Sequence, residues 1–210
     1  DRSPSRGLGD VYKRQELKRQ GKDIISLNVG EPDFGTPDYI KVAGMKAIAD
    51  NFTKYTPGNG ILELRQAIIK KLKEDNGLDY TVNEVTTAVG AKQAIASAMM
   101  VIAGPGDEVL LPIPCWVSYT EMIRLAGATP VFVPVRQDNY ELDLDAIRAA
   151  ITPRTKAIVI CTPNNPTGVV YSAQTLTRMA DILTEKSKAF GHNIFLVSDE
   201  PYRDIAFDGR

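Results

Sequence analysis

The feature that most constrains this chain is an order repeated from residue 85 to residue 202: a short apolar run, a loop, then a helical stretch. Residues 85–89, 108–111, 129–133, 157–161 and 194–198 have the length and the apolar, often β-branched character of buried strands. Helical periodicity occupies 90–103 and 115–125, a stretch capped by Asp143 with Leu144, Ile147 and Ile151 on one face, and a longer one from Ser172 to the stop at Gly191. Strands that alternate with helices lie parallel and are joined by right-handed crossovers. The expected fold class is therefore α/β, a three-layer αβα arrangement around a mostly parallel sheet.

In such sheets ligands bind beyond the carboxyl ends of the strands. The last run, 194–198, leads directly into Asp199, Glu200, Pro201 and Tyr202. A continuous apolar run suits a strand covered by helices on both faces. A carboxylate at its end is costly to desolvate unless something positive meets it.

Gly90, Ala91 and Lys92 turn a predicted strand into a helix whose free N–H groups and dipole suit a phosphate, although neither a Walker loop nor GxGxxG is present. That helix is apolar nearly all round and is expected to be buried. Trp116, the single tryptophan, follows another strand and reads either as core or as a flat surface for an aromatic ligand. Residues 162–168 form a Pro/Asn-rich loop, and 30–37 a rigid one in which Gly30 permits close backbone approach or simply makes a turn. Tyr55, in the Gly/Pro loop 51–60, reads as a packing residue when taken alone, and His192 as a helix-end or surface residue.

Composition narrows the function classes. A net charge of −1, with 43% hydrophobic and 24% charged residues, gives no reason to expect nucleic acid or an anionic membrane as a partner. No apolar run approaches the roughly 18–20 residues of a membrane span, and no secretory signal opens the sequence, so a cytoplasmic location is expected. The two cysteines, Cys115 and Cys161, are expected to be reduced and packed, and no metal-ligand spacing is apparent. Residues 1–15 show no strand or helix pattern and read as a non-native or disordered leader. Residues 16–50 read as an N-terminal segment of a small domain with a substrate loop, and 51–210 as an incomplete large domain.

Six ordered motifs carry a resemblance: GEPDFGTP at 30–37, KYTPGNGILELR at 54–65, VGAKQA at 89–94, PGDEVLLPIPCWVSY at 105–119, ITPRTKAIVICTPNNPTG at 151–168 and VSDEPY at 197–202. Together they resemble the fold-type I, pyridoxal 5'-phosphate-dependent aminotransferases of class I/II, the aspartate aminotransferase family, over about residues 24–210. The resemblance implies that Asp199 faces the pyridinium nitrogen of the cofactor and keeps it protonated. It implies that Asn165 and Tyr202 hydrogen-bond the ring's phenolic oxygen, that Trp116 stacks on the ring, and that Ala91 and Lys92 offer backbone N–H groups to the phosphate. Tyr55 resembles the tyrosine that reaches the phosphate of a neighbouring subunit, which implies a homodimer with shared sites. Gly30, with Trp116 and Asn165, resembles positions on the substrate side. Amino-acid and 2-oxo acid substrates follow from the same resemblance.

The resemblance also marks what the sequence lacks. The family's Schiff-base lysine lies roughly 30 residues beyond the position of Asp199, and no lysine follows Lys188 here. No catalytic residue is therefore assigned. The expectation is an N-terminal portion of a transaminase, inactive alone. Two alternatives stay open: a carbon–sulfur β-lyase of the same fold, and a non-catalytic ligand-sensing module, for which no basic recognition helix is present.

Overall fold

The computed structural model describes residues 5–25, 30 and 32–207. The chain divides into two compact units, Asp1–Tyr55 and Thr56–Arg210. Gly30 and Tyr55 belong to the first and the remaining candidate residues to the second.

In the first unit, α1 (Ser5–Arg19) and α2 (Asp38–Ala49) are both helical. The helix α1 spans most of the stretch before residue 16, in which the sequence shows no helical pattern. Its Lys, Arg, Gln, Glu and Leu residues favour the helix intrinsically, and they do so without the apolar stripe on which pattern reading depends. Asp38 opens α2 one residue after Pro37, where a proline-restricted backbone and an acid in the first turn both suit a helix start.

The second unit begins with α3 (Leu62–Asn76), which Gly77 ends in a left-handed conformation at φ +67°. The only buried residue on α3 is Arg65, whose guanidinium donates to the carbonyls of Gly60 at 3.2 Å and Val82 at 2.7 Å. After a 3-10 turn at Val82–Glu84, the chain alternates as α4 (Gly90–Ile102), β1 (Glu108–Ile113), α5 (Ser118–Leu125), β2 (Thr129–Pro134), α6 (Leu144–Ala150), β3 (Thr155–Cys161), α7 (Ala173–Phe190) and β4 (Phe195–Asp199). Asp143 caps α6 by accepting from the N–H groups of Asp145 and Ala146, and Ser172 caps α7.

The four strands form one parallel sheet in the order β2-β1-β3-β4. Alternate side chains supply two cores, which is the three-layer arrangement. Leu110, Ile158 and Ile160 meet Ile147, Met179 and Leu183 of α6 and α7 on one face. Val109, Leu111, Ala157 and Val159 meet Met99, Met122 and Ile123 of α4 and α5 on the other.

Three expectations fail. Residues 85–89 are not a strand among the described residues: Val85 is extended, at φ −119° and ψ 130°, yet Thr87 donates to the carbonyl of Asn59 at 3.1 Å and not to a neighbouring strand. Extended backbone becomes sheet only with a partner. The helix α4 is buried only at Ile95 and Met99, with Val101 84% exposed, because it packs on the sheet by a single face. And β4 is not covered on both faces: it is an edge strand, with Phe195 and Leu196 more than 40% exposed. Among the described residues, no helix is long and apolar enough to cross a membrane.

Candidate active site

Two buried acids of the sheet have contrasting partners. Glu108, at the amino end of β1, pairs with the Arg154 guanidinium and accepts from Thr152 Oγ1 at 2.5 Å, so its charge is compensated structurally. Asp199, at the carboxyl end of β4, is 8% exposed, and among the described residues it forms no ion pair with a lysine, arginine or histidine. Its Oδ2 accepts a hydrogen bond from the hydroxyl of Tyr119 at 2.6 Å. A carboxylate kept from water with a neutral donor alone is poised for a further, cationic partner.

Asp199 lines a cavity of about 160 Å³ together with Ala91, Trp116, Tyr119, Cys161, Asn165, Pro201 and Tyr202. Five of the residues singled out in the sequence thus converge on one space: Ala91, Trp116, Asn165, Asp199 and Tyr202. Each ends a strand, follows one or opens a helix, at the same end of the sheet. A wider, more open cavity of about 600 Å³ adjoins it, sharing Asn165 and Tyr202.

The loop 162–168 gives its two asparagines different work. Asn164 is buried, and its Nδ2 donates to the carbonyl of Pro114 at 3.2 Å and to Thr167 Oγ1 at 2.8 Å, which fixes the loop to the segment after β1. Asn165 donates through Nδ2 to the hydroxyl of Tyr202 at 3.1 Å and borders both cavities. An amide and a phenol held together in this way can share one ligand oxygen.

Trp116 meets Tyr119 edge-to-face with centroids 5.4 Å apart, and the Lys92 ammonium lies 5.1 Å from the centroid of the Trp116 ring. Gly90 opens α4 at φ +79°, a conformation that glycine adopts without strain. Ala91 and Lys92 follow in the first turn, where backbone N–H groups have no intrahelical acceptor. Tyr55 is fully exposed, and a Cβ on Gly30 would meet nothing within 4 Å. His192 lies at a helix end, its ring nitrogens 2.9 Å from the Pro153 carbonyl and 3.1 Å from that of Asn193.

Tyr119 and Cys161 also line the cavity, although the sequence reading singled out neither as a site residue. For Tyr119 the signal was present in its spacing, three residues after Trp116 at a helix start, which puts both rings on one side. Burial first, then the hydrogen bond to Asp199 and its negative charge, push the Tyr119 phenol far above the ordinary phenol range, so it remains a donor. Burial likewise raises the thiols of Cys161 and Cys115, which are inert by that measure.

A helix-sandwiched parallel sheet, with a carboxylate, an amide–phenol pair, an indole and a helix N-terminus gathered at its carboxyl end, has the groups that suit an aromatic, phosphate-bearing ligand. The family model for class I and II aminotransferases matches residues 22–210. A probable aspartate/prephenate aminotransferase of Thermus aquaticus is 46% identical over 207 residues, covering 98% of this chain and 52% of that protein. An aspartate aminotransferase of Bacillus sp. (strain YM-2) is 43% identical over 208 residues, covering 99% and 52% respectively. The solved structure of Thermus thermophilus aspartate aminotransferase with maleate superposes with a TM-score of 0.88 at 43% identity, over 99% of this chain and 53% of that one. The chain belongs to the class I and II aminotransferases, whose cofactor is pyridoxal 5'-phosphate. It spans about half the length of the curated relatives it matches.

The residues present fit that cofactor. A buried carboxylate without a cationic partner suits a protonated ring nitrogen, the Asn165–Tyr202 pair suits a phenolic oxygen, and the first turn of α4 suits a phosphate.

Proposed function

We propose that the full-length protein carrying this sequence is a pyridoxal-phosphate-dependent transaminase that exchanges an amino group between an L-amino acid and a 2-oxo acid, with aspartate as an amino donor. The choice of aspartate rests on relatives 42–46% identical that are named aspartate or aspartate/prephenate aminotransferases. The observation that carries the reading is the placement of Asp199: buried, at the carboxyl end of β4, without an ion-pair partner among the described residues, and lining one cavity with Trp116, Asn165 and Tyr202.

When bound, the cofactor supplies an electron sink for the carbanion left by loss of a substrate proton. Asp199 would hold the ring nitrogen's proton and keep that sink effective. Asn165 and Tyr202 would hold the phenolic oxygen, Trp116 would cover one ring face and exclude water, and the N–H groups of Ala91 and Lys92 would bind the phosphate. Gly30 would meet the substrate, and Tyr55 would reach the phosphate of a second subunit in a homodimer. The Schiff-base lysine has no counterpart within these 210 residues, so this span alone would turn over no substrate.

The test is transamination by the full-length protein, with aspartate and a panel of 2-oxo acids, before and after Asp199→Ala. Loss of a preorganised electrostatic partner lowers the rate by about a hundredfold or more. A protein that eliminates the side chain of a sulfur amino acid, and transfers no amino group, would be the β-lyase instead.

A further inference from the structure

Asp199 has two oxygens, and the structure accounts for one of them. The hydroxyl of Tyr119 donates to Oδ2 at 2.6 Å, across 80 residues of sequence, from a side chain that is 1% exposed. The Tyr119 ring is itself fixed: it sits in the core formed with Met122, Ile123 and Val159, and Trp116 packs edge-on against it at 5.4 Å. Its backbone N–H donates to the carbonyl of Trp116 at 3.2 Å, so the two rings are tied through the main chain as well. One phenol therefore touches both the carboxylate and the indole of the cavity.

We propose that Tyr119 is a positioning residue for the cofactor: its hydroxyl fixes the rotation of the Asp199 carboxylate and sets how much charge the other oxygen, Oδ1, presents to the ring nitrogen. The inference rests on the reading of Asp199 as the ring-nitrogen partner. A hydrogen bond to one oxygen of a carboxylate draws electron density toward it, and chains of hydrogen bonds polarise one another in a low-dielectric interior. A stronger donor at Oδ2 leaves Oδ1 a weaker acceptor; removal of the donor has the opposite effect and also frees the carboxylate to rotate. A neutral donor suits this task because it adjusts the acid without neutralising it. A cation at the same place would compensate the charge that the ring nitrogen requires, as Arg154 does for Glu108 at the other end of the sheet.

The experiment uses the full-length holoenzyme loaded with cofactor labelled with ¹⁵N in the ring, and reads the ring-nitrogen chemical shift and the cofactor Kd. Tyr119→Phe removes the donor, and 3-fluorotyrosine at position 119 keeps the shape while making the phenol a stronger donor. The expected result is a ring-nitrogen shift that moves in opposite directions in the two variants, with Kd raised about tenfold in Tyr119→Phe, as for loss of a hydrogen bond to a charged group. A residue that merely filled space would leave the fluorinated protein identical to wild type. Asp199→Ala completes the set. If it moves the ring-nitrogen signal while both Tyr119 variants leave it unchanged, the positioning role is overturned and the reading of Asp199 stands. If Asp199→Ala also leaves the signal unchanged, the reading of Asp199 falls, and the role of Tyr119 falls with it.

Discussion

Cys161 and Asp199 are the last residues of β3 and β4 and stand opposite each other in the parallel register of those strands. The end of the sheet therefore sets a thiol beside the acid, and both line the cavity. The thiol is held up above its ordinary value near 9.0, chiefly by burial. A group that keeps its proton more firmly in the folded state contributes stability in full below the unfolded value, and loses it as pH rises past that value toward the folded one. Urea unfolding of the full-length protein is thus expected to show a fall in stability as pH is raised through about 9, and Cys161→Ser should remove that component. In the native state at neutral pH, Cys161 should resist alkylation.

Arg65 predicts a purely structural loss. Its guanidinium is buried and satisfies the carbonyls of Gly60 and Val82, joining the start of α3 to the turn before α4. Arg65→Met keeps the volume and strands two acceptors, at a cost of about 1–3 kcal/mol. A lowered urea midpoint with an unchanged slope is the expected signature.

Gly60 lies against Thr87. A Cβ at position 60 would come within 2.2 Å of Thr87 Oγ1, and the backbone there has φ +96°. Gly60→Ala is expected to destabilise by about 1–3 kcal/mol from strain and overpacking combined. Adding Thr87→Ala should restore only part of the loss, because it relieves the collision and leaves the dihedral penalty. A thermal-denaturation double-mutant cycle would separate the two contributions.

Tyr202→Phe removes the acceptor for Asn165 Nδ2, a bond of 3.1 Å between neutral groups. The expected effect on the full-length protein is a cofactor Kd raised about two- to tenfold, in proportion to one neutral hydrogen bond. Absorbance of the bound cofactor during its titration would measure it.

Most of the fold was legible because short apolar runs between helical stretches mark strands, and four of the five proposed strands pair in one sheet. Residues 85–89 look like a strand in sequence because extended conformation is local and pairing is not: Thr87 finds the carbonyl of Asn59 in place of a neighbouring strand. The exposed side of α4 and the open edge at β4 were likewise invisible, since an apolar residue looks the same in sequence whether or not something covers it. At the cavity, the residues bearing chemistry near Gly and Pro punctuation stood out: Asp199, Trp116, Asn165, Tyr202 and Ala91. Tyr119 did not: its spacing from Trp116 hints only that the two rings share a side, and its hydrogen bond to Asp199, 80 positions away, leaves no local signal.

The edge strand β4 has a practical consequence for anyone handling this span by itself. Phe195 and Leu196 face solvent on a strand whose outer rank of amide and carbonyl groups has no partner strand among the described residues. Flat apolar edges of this kind recruit strands from other molecules. The 210-residue polypeptide in isolation should therefore scatter light increasingly with concentration and partition into inclusion bodies. A single lysine at position 196 should return it to the supernatant without touching the cavity at the strand's far end.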